Sequence, residues 1–70
     1  MERPAVDSSA LRSVGYDAAH LALELEFTGG RVYVYAEVPG RVYRELLAAE
    51  SLGRYFAREI RGRYAYRRVR

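Results

Sequence analysis

Two alternating segments, placed on either side of adjacent glycines, restrict the fold more than any other feature of this chain. The first segment alternates apolar with small or acidic side chains, with the apolar positions at Leu21, Leu23, Leu25 and Phe27. Such a period is typical of a half-buried β-strand. Residues 28–31, Thr-Gly-Gly-Arg, are typical of a tight turn, and residues 32–38 are rich in branched and aromatic residues. We therefore predict a β-hairpin over about residues 20–38.

The second half of the chain has helical spacing. Pro39 ends the hairpin, and apolar positions fall on one helical face of a predicted helix over about residues 40–50, at Val42, Tyr43, Leu46 and Leu47. A second helix is predicted over about 52–61, with Ser51 as its N-cap and Gly62 as its C′ residue. Strands followed by helices favour an α+β fold, a small antiparallel sheet packed against two short C-terminal helices.

The size of the chain permits one domain. At 70 residues it is near the lower limit for folding on one hydrophobic core, and without cysteine it has no disulfide. We expect a flexible N-terminal lead over residues 1–6 and a single domain over 7–70, with 63–67 as a last short strand or an ordered arm. With no signal peptide and no apolar run of membrane-spanning length, the chain is expected to be a soluble, cytoplasmic protein without membrane contact.

Charge is unevenly distributed. All twelve basic residues are arginines, and seven of them lie in residues 54–70 beside a single acid, Glu59, which gives this segment a formal charge of +6. Residues 1–53 hold five arginines and eight acids, or −3. A field of this shape attracts polyanions, of which phosphate backbones are the commonest.

A series of short motifs recurs in order along the chain. They are Asp7-Ser8-Ser9, Gly15-Tyr16-Asp17, the strand Leu23–Phe27, Tyr33-Val34-Tyr35, Val38-Pro39, Tyr43, Ala49-x-Ser51-x-Gly53-x-Tyr55-Phe56 and Ile60-Arg61. Over roughly residues 6–66 this series resembles the KTSC domain, a small domain found at the C-terminus of some lysyl-tRNA synthetases and as free-standing bacterial proteins. The resemblance implies a small α+β domain and, through the synthetase, an RNA context. It implies no catalytic residue and no small-molecule cofactor.

The candidate nucleic-acid site lies at the basic end. Arg54, Arg58 and Arg61 are predicted to share one helical face, which basic and aromatic residues then continue. Those further candidates are Arg63, Tyr64, Tyr66, Arg67 and Arg68. Guanidinium groups pair with phosphates, and interleaved tyrosines stack on unpaired bases. The alternative is a solvated helix face followed by a fraying tail, with Arg58 and Arg61 favourable near a helix C-terminus.

Tyr33 and Tyr35 are a second candidate, for stacking, with packing as the favoured role. A two-residue turn at Gly29-Gly30 places both tyrosines on the face away from the core, beside Glu24 and Glu26, where phosphate is repelled. A three-residue turn places both in the core instead.

Catalytic and metal sites have little support in the sequence. His20 is the only histidine, and neither it nor the serines Ser8, Ser9 and Ser51 stand in a nucleophile or metal-binding motif. Gly29-Gly30 joins two strands and does not open a helix, so it is not a phosphate loop. The predicted function is a non-catalytic nucleic-acid-binding module, with RNA, and tRNA in particular, as the partner. The alternative is a protein–protein interaction or self-associating module, in which a protein partner or a homo-oligomer takes the place of nucleic acid.

Overall fold

The computed structural model, which describes residues 10–70, is built on a four-stranded antiparallel sheet. Its strands lie side by side in chain order and are β1 (Leu11–Asp17), β2 (Ala22–Phe27), β3 (Val32–Tyr35) and β4 (Tyr66–Arg68). Two helical segments stand between β3 and β4, so the predicted α+β class and the predicted hairpin are confirmed. The predicted lead, residues 1–6, lies outside the described residues.

A three-residue turn joins β2 to β3. The Phe27 amide donates to the Arg31 carbonyl (2.8 Å), and the Gly30 amide donates to the Phe27 carbonyl (3.0 Å). Gly29 and Gly30 have φ of 103° and 93°, a region that side chains disfavour. The turn is therefore the three-residue alternative.

This turn fixes which face of the sheet carries the tyrosines. It pairs Leu23 with Tyr35 and Leu25 with Tyr33, so both tyrosines share the core face with buried leucines. Tyr35 is buried, whereas Tyr33 is half-buried. A one-residue difference in the turn would have moved both side chains to the other face.

The third strand is shorter than the alternating pattern predicts. It ends at Tyr35, and not at Val38, because Glu37 has φ of 57° and leaves the extended conformation. The chain then rises toward the helices, and the Tyr16 hydroxyl donates to the Val38 carbonyl at this corner.

The first helix, α1 (Gly40–Ala48), covers part of the core face. Val42 and Leu46 are buried, and the Tyr43 ring stacks on that of Tyr16, with centroids 5.1 Å apart. Leu47 was predicted to share the buried face, but it is 44% exposed. It lies one position beyond the i, i+4 pair that faces the sheet, so the helix rotates it toward solvent.

The second helical segment changes its winding part-way. Helix α2 (Leu52–Tyr55) begins at the predicted cap, where the Ser51 hydroxyl accepts from the Arg54 amide (3.2 Å). A π-helical turn (Phe56–Ile60) follows, and the Arg61 amide donates to the Phe56 carbonyl (2.9 Å) in the i→i+5 pattern. Gly62 then ends the segment with φ of 77°, as predicted.

The core lies between the sheet and these helices. Strands β1–β3 supply Leu11, Val14, Leu23, Leu25 and Tyr35, and the segments after them supply Val38, Val42, Leu46, Tyr55, Phe56 and Ile60. Within residues 10–70, none of the helices has both the length and the apolar character needed to cross a bilayer.

Candidate nucleic-acid interface

Five aromatic rings meet between β4 and the π-helical turn and form an open cleft of about 280 Å³, here called the aromatic cleft. They are Phe27, Tyr33, Tyr35, Phe56 and Tyr66. The Tyr66 ring centroid lies 5.3 Å from that of Tyr33 and 5.2 Å from that of Tyr35. Phe56 meets Phe27 edge-on, with centroids 5.2 Å apart. Each contact has the tilted or edge-on geometry that aromatic pairs prefer.

The depth of these rings differs. Tyr35 and Phe56 are buried and form the floor, whereas Tyr66, on the edge strand β4, is 61% exposed. Burial raises the pKa of the Tyr35 phenol to about 12, and the neighbouring Tyr66 and Tyr33 add to this. The floor of the cleft therefore stays uncharged well above neutral pH, beyond the ordinary pKa of a phenol.

Two arginines stand at the rim of the aromatic cleft. The Arg61 guanidinium lies 5.4 Å from the Phe56 ring centroid, a cation–π contact, and the residue is exposed. Arg31, which immediately precedes β3, and Gly62 complete the lining. Of the described residues that line the cleft, none is acidic, so its side chains carry a formal charge of +2.

A second depression, of about 330 Å³, lies between α1 and α2 and is here called the helical groove. Its charged residues are Arg54 and Arg58 together with Glu45 and Glu50, which gives a formal charge of zero. Cations and anions are equal in number on this surface, and the field that it presents to a phosphate is correspondingly weaker.

The helical groove is also internally bonded. The Tyr55 hydroxyl donates to Glu45 Oε1 (2.6 Å), and burial together with this hydrogen bond raises the pKa of the Tyr55 phenol to about 12. The Arg58 guanidinium donates to Glu59 Oε2 (3.1 Å) and lies 5.8 Å from the Tyr55 ring centroid. These side chains already have partners within the chain.

Comparison with known proteins identifies the family to which this fold belongs. Residues 7–64 match the sequence profile of the KTSC domain. The chain belongs to the KTSC domain family. A crystal structure of a KTSC domain protein from Yersinia pestis agrees with this one, with a TM-score of 0.93 and 36% sequence identity over 99% of this chain and 97% of that chain.

Two relatives show the contexts in which similar sequences occur. A protein of Stutzerimonas stutzeri is 46% identical over 70 residues, which cover 99% of each chain. A lysine–tRNA ligase of Trichormus variabilis is 35% identical over 63 residues, which cover 90% of this chain and 11% of the ligase. The KTSC resemblance that the ordered motifs predict is thus confirmed.

In this KTSC domain, the three helical arginines do not share one face as predicted. Arg54 and Arg58 line the helical groove, and Arg61 lines the aromatic cleft. In an α-helix the 54, 58, 61 spacing would align them. The i→i+5 turn from Phe56 to Arg61 adds a residue to the last turn and carries Arg61 away from that face.

The remaining candidates are distributed over three environments. Arg63 donates from Nε to the Arg58 carbonyl (3.2 Å), and Tyr64 is half-buried against the core. Arg68 pairs with Tyr33 on the side of the sheet that holds the aromatic cleft, whereas Arg67 pairs with Val34 on the opposite side. Tyr66 and Arg68 therefore lie on the same side as Arg61.

The structure adds residues that sequence reasoning did not select. Arg31 and Phe27 were assigned only to the turn and the strand, and Phe56 only to the ordered motifs, yet all three line the cleft. The three-residue alternative for the turn was the signal in the sequence for this cleft, because it places Tyr33 and Tyr35 on the core face, where Phe27 and Phe56 also lie.

The described residues hold one histidine–carboxylate pair and no cluster of metal-ligating side chains. Among residues 10–70, no group of three or more histidine, cysteine or carboxylate side chains is placed to hold a metal ion. His20 Nδ1 lies 2.7 Å from Asp17 Oδ2 in the exposed turn after β1, and this hydrogen bond lowers the pKa of the Asp17 carboxyl. The pair is solvated and joins the last residue of β1 to the turn that follows. Aspartate commonly forms such a hydrogen bond to stabilise a turn.

Proposed function

We propose that this KTSC domain is a non-catalytic RNA-binding module that acts in the bacterial cytoplasm. One observation carries the proposal: Tyr66, 61% exposed, stands in a cleft with Arg31 and Arg61 at its rim and without an acid among the described lining residues. Proteins that bind single-stranded nucleic acid combine these elements, a cationic surface for the backbone and an aromatic surface for the bases.

The chemistry of the rim supports phosphate as the ligand. Arginine presents planar N–H donors that match phosphate oxygens in pairs, and it holds its charge at every physiological pH. Arg68 adds a third guanidinium on the same side of the sheet. Three phosphate contacts would give a log–log salt slope of about −2, at about 0.7 per contact with a single strand.

The lining of the cleft also supports binding without catalysis. Its described residues are aromatic side chains, arginines and a glycine, which include neither a carboxylate nor an imidazole. A general acid or base works best with a pKa near the operating pH. The buried phenol of Tyr35, with its pKa raised to about 12, is far from that range.

A relative supports RNA over other polyanions. The lysine–tRNA ligase that is similar over 63 residues bears a name that places it with tRNA. This is an argument from association, and it makes tRNA the first RNA to test.

The decisive experiment is fluorescence-anisotropy titration of tRNA and of an unstructured RNA with the purified domain, each over a series of salt concentrations. We expect saturable binding of tRNA that persists near physiological salt, with a log–log slope near −2. Binding that is absent, or that is equal for the two RNAs and disappears at moderate salt, would overturn the proposal and leave only general charge attraction.

Self-association is the competing function, and the charge distribution favours it. The −3 of residues 1–53 and the +6 of residues 54–70 are complementary between two copies. Strand β4 lies at the edge of the sheet, where a further strand is able to add. Sedimentation velocity over a range of concentrations and salts measures this directly. A dimer that forms at low salt and excludes RNA would favour this function over RNA binding.

A further inference from the structure

Tyr66 is placed unusually for so large a side chain. It belongs to a three-residue edge strand, yet its ring contacts both Tyr33 and Tyr35 while 61% of the residue remains exposed. The ring planes are inclined at 61° to Tyr33 and at 34° to Tyr35, and both partners belong to the neighbouring strand β3. The ring is thus held by two neighbouring rings, and it lines the cleft while most of the residue remains accessible.

A ring held in this way is suited to stacking. A side chain that is already ordered loses little conformational entropy when a ligand binds, so more of the stacking free energy contributes to affinity. Tyrosine adds a wide flat surface with few rotatable bonds. The partner that such a surface selects is another flat ring.

The dimensions of the cleft limit that partner. Its volume of about 280 Å³ lies just below the range for small-ligand sites, about 300–1,000 Å³. The buried rings of Tyr35 and Phe56 close it from below. It therefore has room for one base-sized group and not for an extended stack.

The rim supplies the second element of recognition. Arg61 is directed to this side by the π-helical turn and rests on Phe56, with 5.4 Å between the guanidinium carbon and the ring centroid. Arg31, just before β3, lines the same cleft. A flat group in the cleft would stack on the ring, and a phosphate attached to it would pair with the guanidinium groups.

We infer that the aromatic cleft is a subsite for one unpaired nucleotide of RNA, whose base stacks on Tyr66 and whose phosphate pairs with Arg61 and Arg31. The inference deepens the proposed function and rests on it. A base within a duplex is stacked on both sides and is not available to the cleft, so the domain selects loops, bulges and single-stranded ends.

The test compares two oligoribonucleotides of equal length and equal charge, one with all its bases and one in which abasic residues replace them. Anisotropy titrations at a fixed salt concentration give the dissociation constant for each. We expect the base-bearing RNA to bind about tenfold more tightly, since stacking on one aromatic side chain contributes on this scale. The backbone contacts are the same in both, so the ratio isolates the base.

Variants at Tyr66 assign the difference to the cleft. Tyr66→Ala is expected to reduce the ratio to about one, and Tyr66→Phe is expected to retain it, because the stacking surface is unchanged. Val69→Ala, at an exposed residue of the same C-terminal segment, is the matched control and should leave the ratio unchanged. If Tyr66→Ala does not fold, Tyr66→Leu keeps an apolar side chain and still removes the flat ring, and the wild-type ratio is measured without any variant.

The outcomes separate the inference from the function on which it rests. Equal affinities of the wild-type domain for the two RNAs, with a clear salt dependence, would overturn the base subsite and leave RNA binding in place. A tenfold ratio that survives Tyr66→Ala would place the stacking group elsewhere and overturn the assignment. Failure of both RNAs to bind would overturn the proposed function itself.

Discussion

The aromatic cleft and the helical groove share two features of their lining, yet they present different surfaces. Each holds two arginines and a buried tyrosine whose phenol has its pKa raised to about 12. In the helical groove, Glu45 and Glu50 bring the formal charge to zero, and Tyr55 donates to Glu45. In the aromatic cleft the formal charge is +2, and the tyrosine floor is extended upward by the exposed ring of Tyr66.

The difference shows that a count of arginines does not define a binding surface. Arg54 and Arg58 belong to the most basic segment of the chain, residues 54–70. The carboxylates beside them come from α1 and the residues after it, so they are not counted in the charge of that segment. Arg31 belongs to the acidic part of the chain and still contributes to the cleft. The local field follows from what the fold brings together.

The largest effect is expected from removing the floor of the cleft, which is also part of the hydrophobic core. Phe56 is 6% exposed and packs on Phe27 and Tyr35. Phe56→Ala should lower the free energy of unfolding by about 3–5 kcal/mol through lost burial and the cavity left behind. Urea unfolding followed by circular dichroism measures this loss.

Leu47→Ala is the control for that experiment. Leu47 is 44% exposed on α1, so its removal should change the stability by no more than about 0.5 kcal/mol. If Phe56→Ala leaves no folded protein, Phe56→Leu gives a smaller loss that remains measurable. Equal stability of the Phe56 and Leu47 variants would show that the cleft floor is not part of the core.

The second prediction reverses equal charge in the two regions. Arg31→Glu with Arg61→Glu changes the cleft by −4, and Arg54→Glu with Arg58→Glu changes the groove by the same amount. The cleft pair should weaken RNA binding about 100-fold and lower the salt slope by about 1.4, since two phosphate contacts are lost. The groove pair acts only through the general field, so we expect about a threefold change. Anisotropy titration over a salt series measures both.

This pair of variants decides whether the surface was correctly located. Equal losses would indicate that net charge, and not the cleft, determines affinity. A larger loss for the groove pair would return the site to the helix face that Arg54 and Arg58 share.

Local rules explain what the sequence does predict. The alternation of Leu23, Leu25 and Phe27 with Glu24 and Glu26 predicts the strand β2. Leu21, expected to begin this strand, lies instead in the turn before it, with φ of 52° and 44% of its surface exposed. Ser51 and Gly62 mark the ends of the second helical segment because a hydroxyl satisfies an orphan amide and glycine adopts φ of 77° without strain. Each of these signals depends on neighbours within a few residues.

The features that create the cleft depend on distant contacts. Gly29-Gly30 suits a turn of two or three residues, and the choice is decided by the burial of Tyr35. The π-helical turn differs from an α-helix by one extra residue in a single hydrogen-bonded turn. The spacing of apolar residues in the sequence does not reveal so small a change. The pairing of Tyr66 with Tyr35 joins residues on either side of both helices. The sequence therefore predicts the arginines and tyrosines but not their grouping.

A third prediction concerns stability at alkaline pH. Tyr35 in the cleft and Tyr55 in the groove have their phenol pKa values raised to about 12, against an ordinary value near 10. The unfolded chain thus releases these protons before the folded one does. The resulting stabilisation is complete below about pH 10 and is lost as the pH rises through about 12.

Absorbance of ionised tyrosine and thermal unfolding between pH 8 and pH 12 test this expectation. Tyr35→Phe should remove the contribution of the cleft, and Tyr55→Phe that of the groove, so each variant loses less stability with rising pH than the wild type does. Titration of all seven tyrosines together near their ordinary pKa would contradict it.

Tyr55→Phe gives a fourth prediction, at neutral pH. The variant loses the 2.6 Å hydrogen bond to Glu45 and should be less stable by about 1 kcal/mol, because the carboxylate is partly solvated. Its affinity for RNA should not change. Tyr66→Phe, at an exposed residue, is the matched control and should change the stability by no more than about 0.5 kcal/mol. A weakened RNA complex of Tyr55→Phe would show that the groove takes part in binding.

The smallest expected effect comes from giving the groove the same charge as the cleft. Glu45→Gln with Glu50→Gln leaves Arg54 and Arg58 without the carboxylates that line the groove with them, so its formal charge becomes +2. We expect RNA affinity to rise about threefold at low salt and to return to the wild-type value near physiological salt, where exposed charges are screened within about 8 Å.

Glu37→Gln, which removes a carboxylate that lines neither region, is the control. The gain should be the same for base-bearing and abasic RNA, because the groove lacks an exposed ring among its described lining residues. A gain that persists at physiological salt, or that requires bases, would show that removal of two carboxylates is enough to make the groove a second nucleotide site. The distinction between the two regions would then be lost.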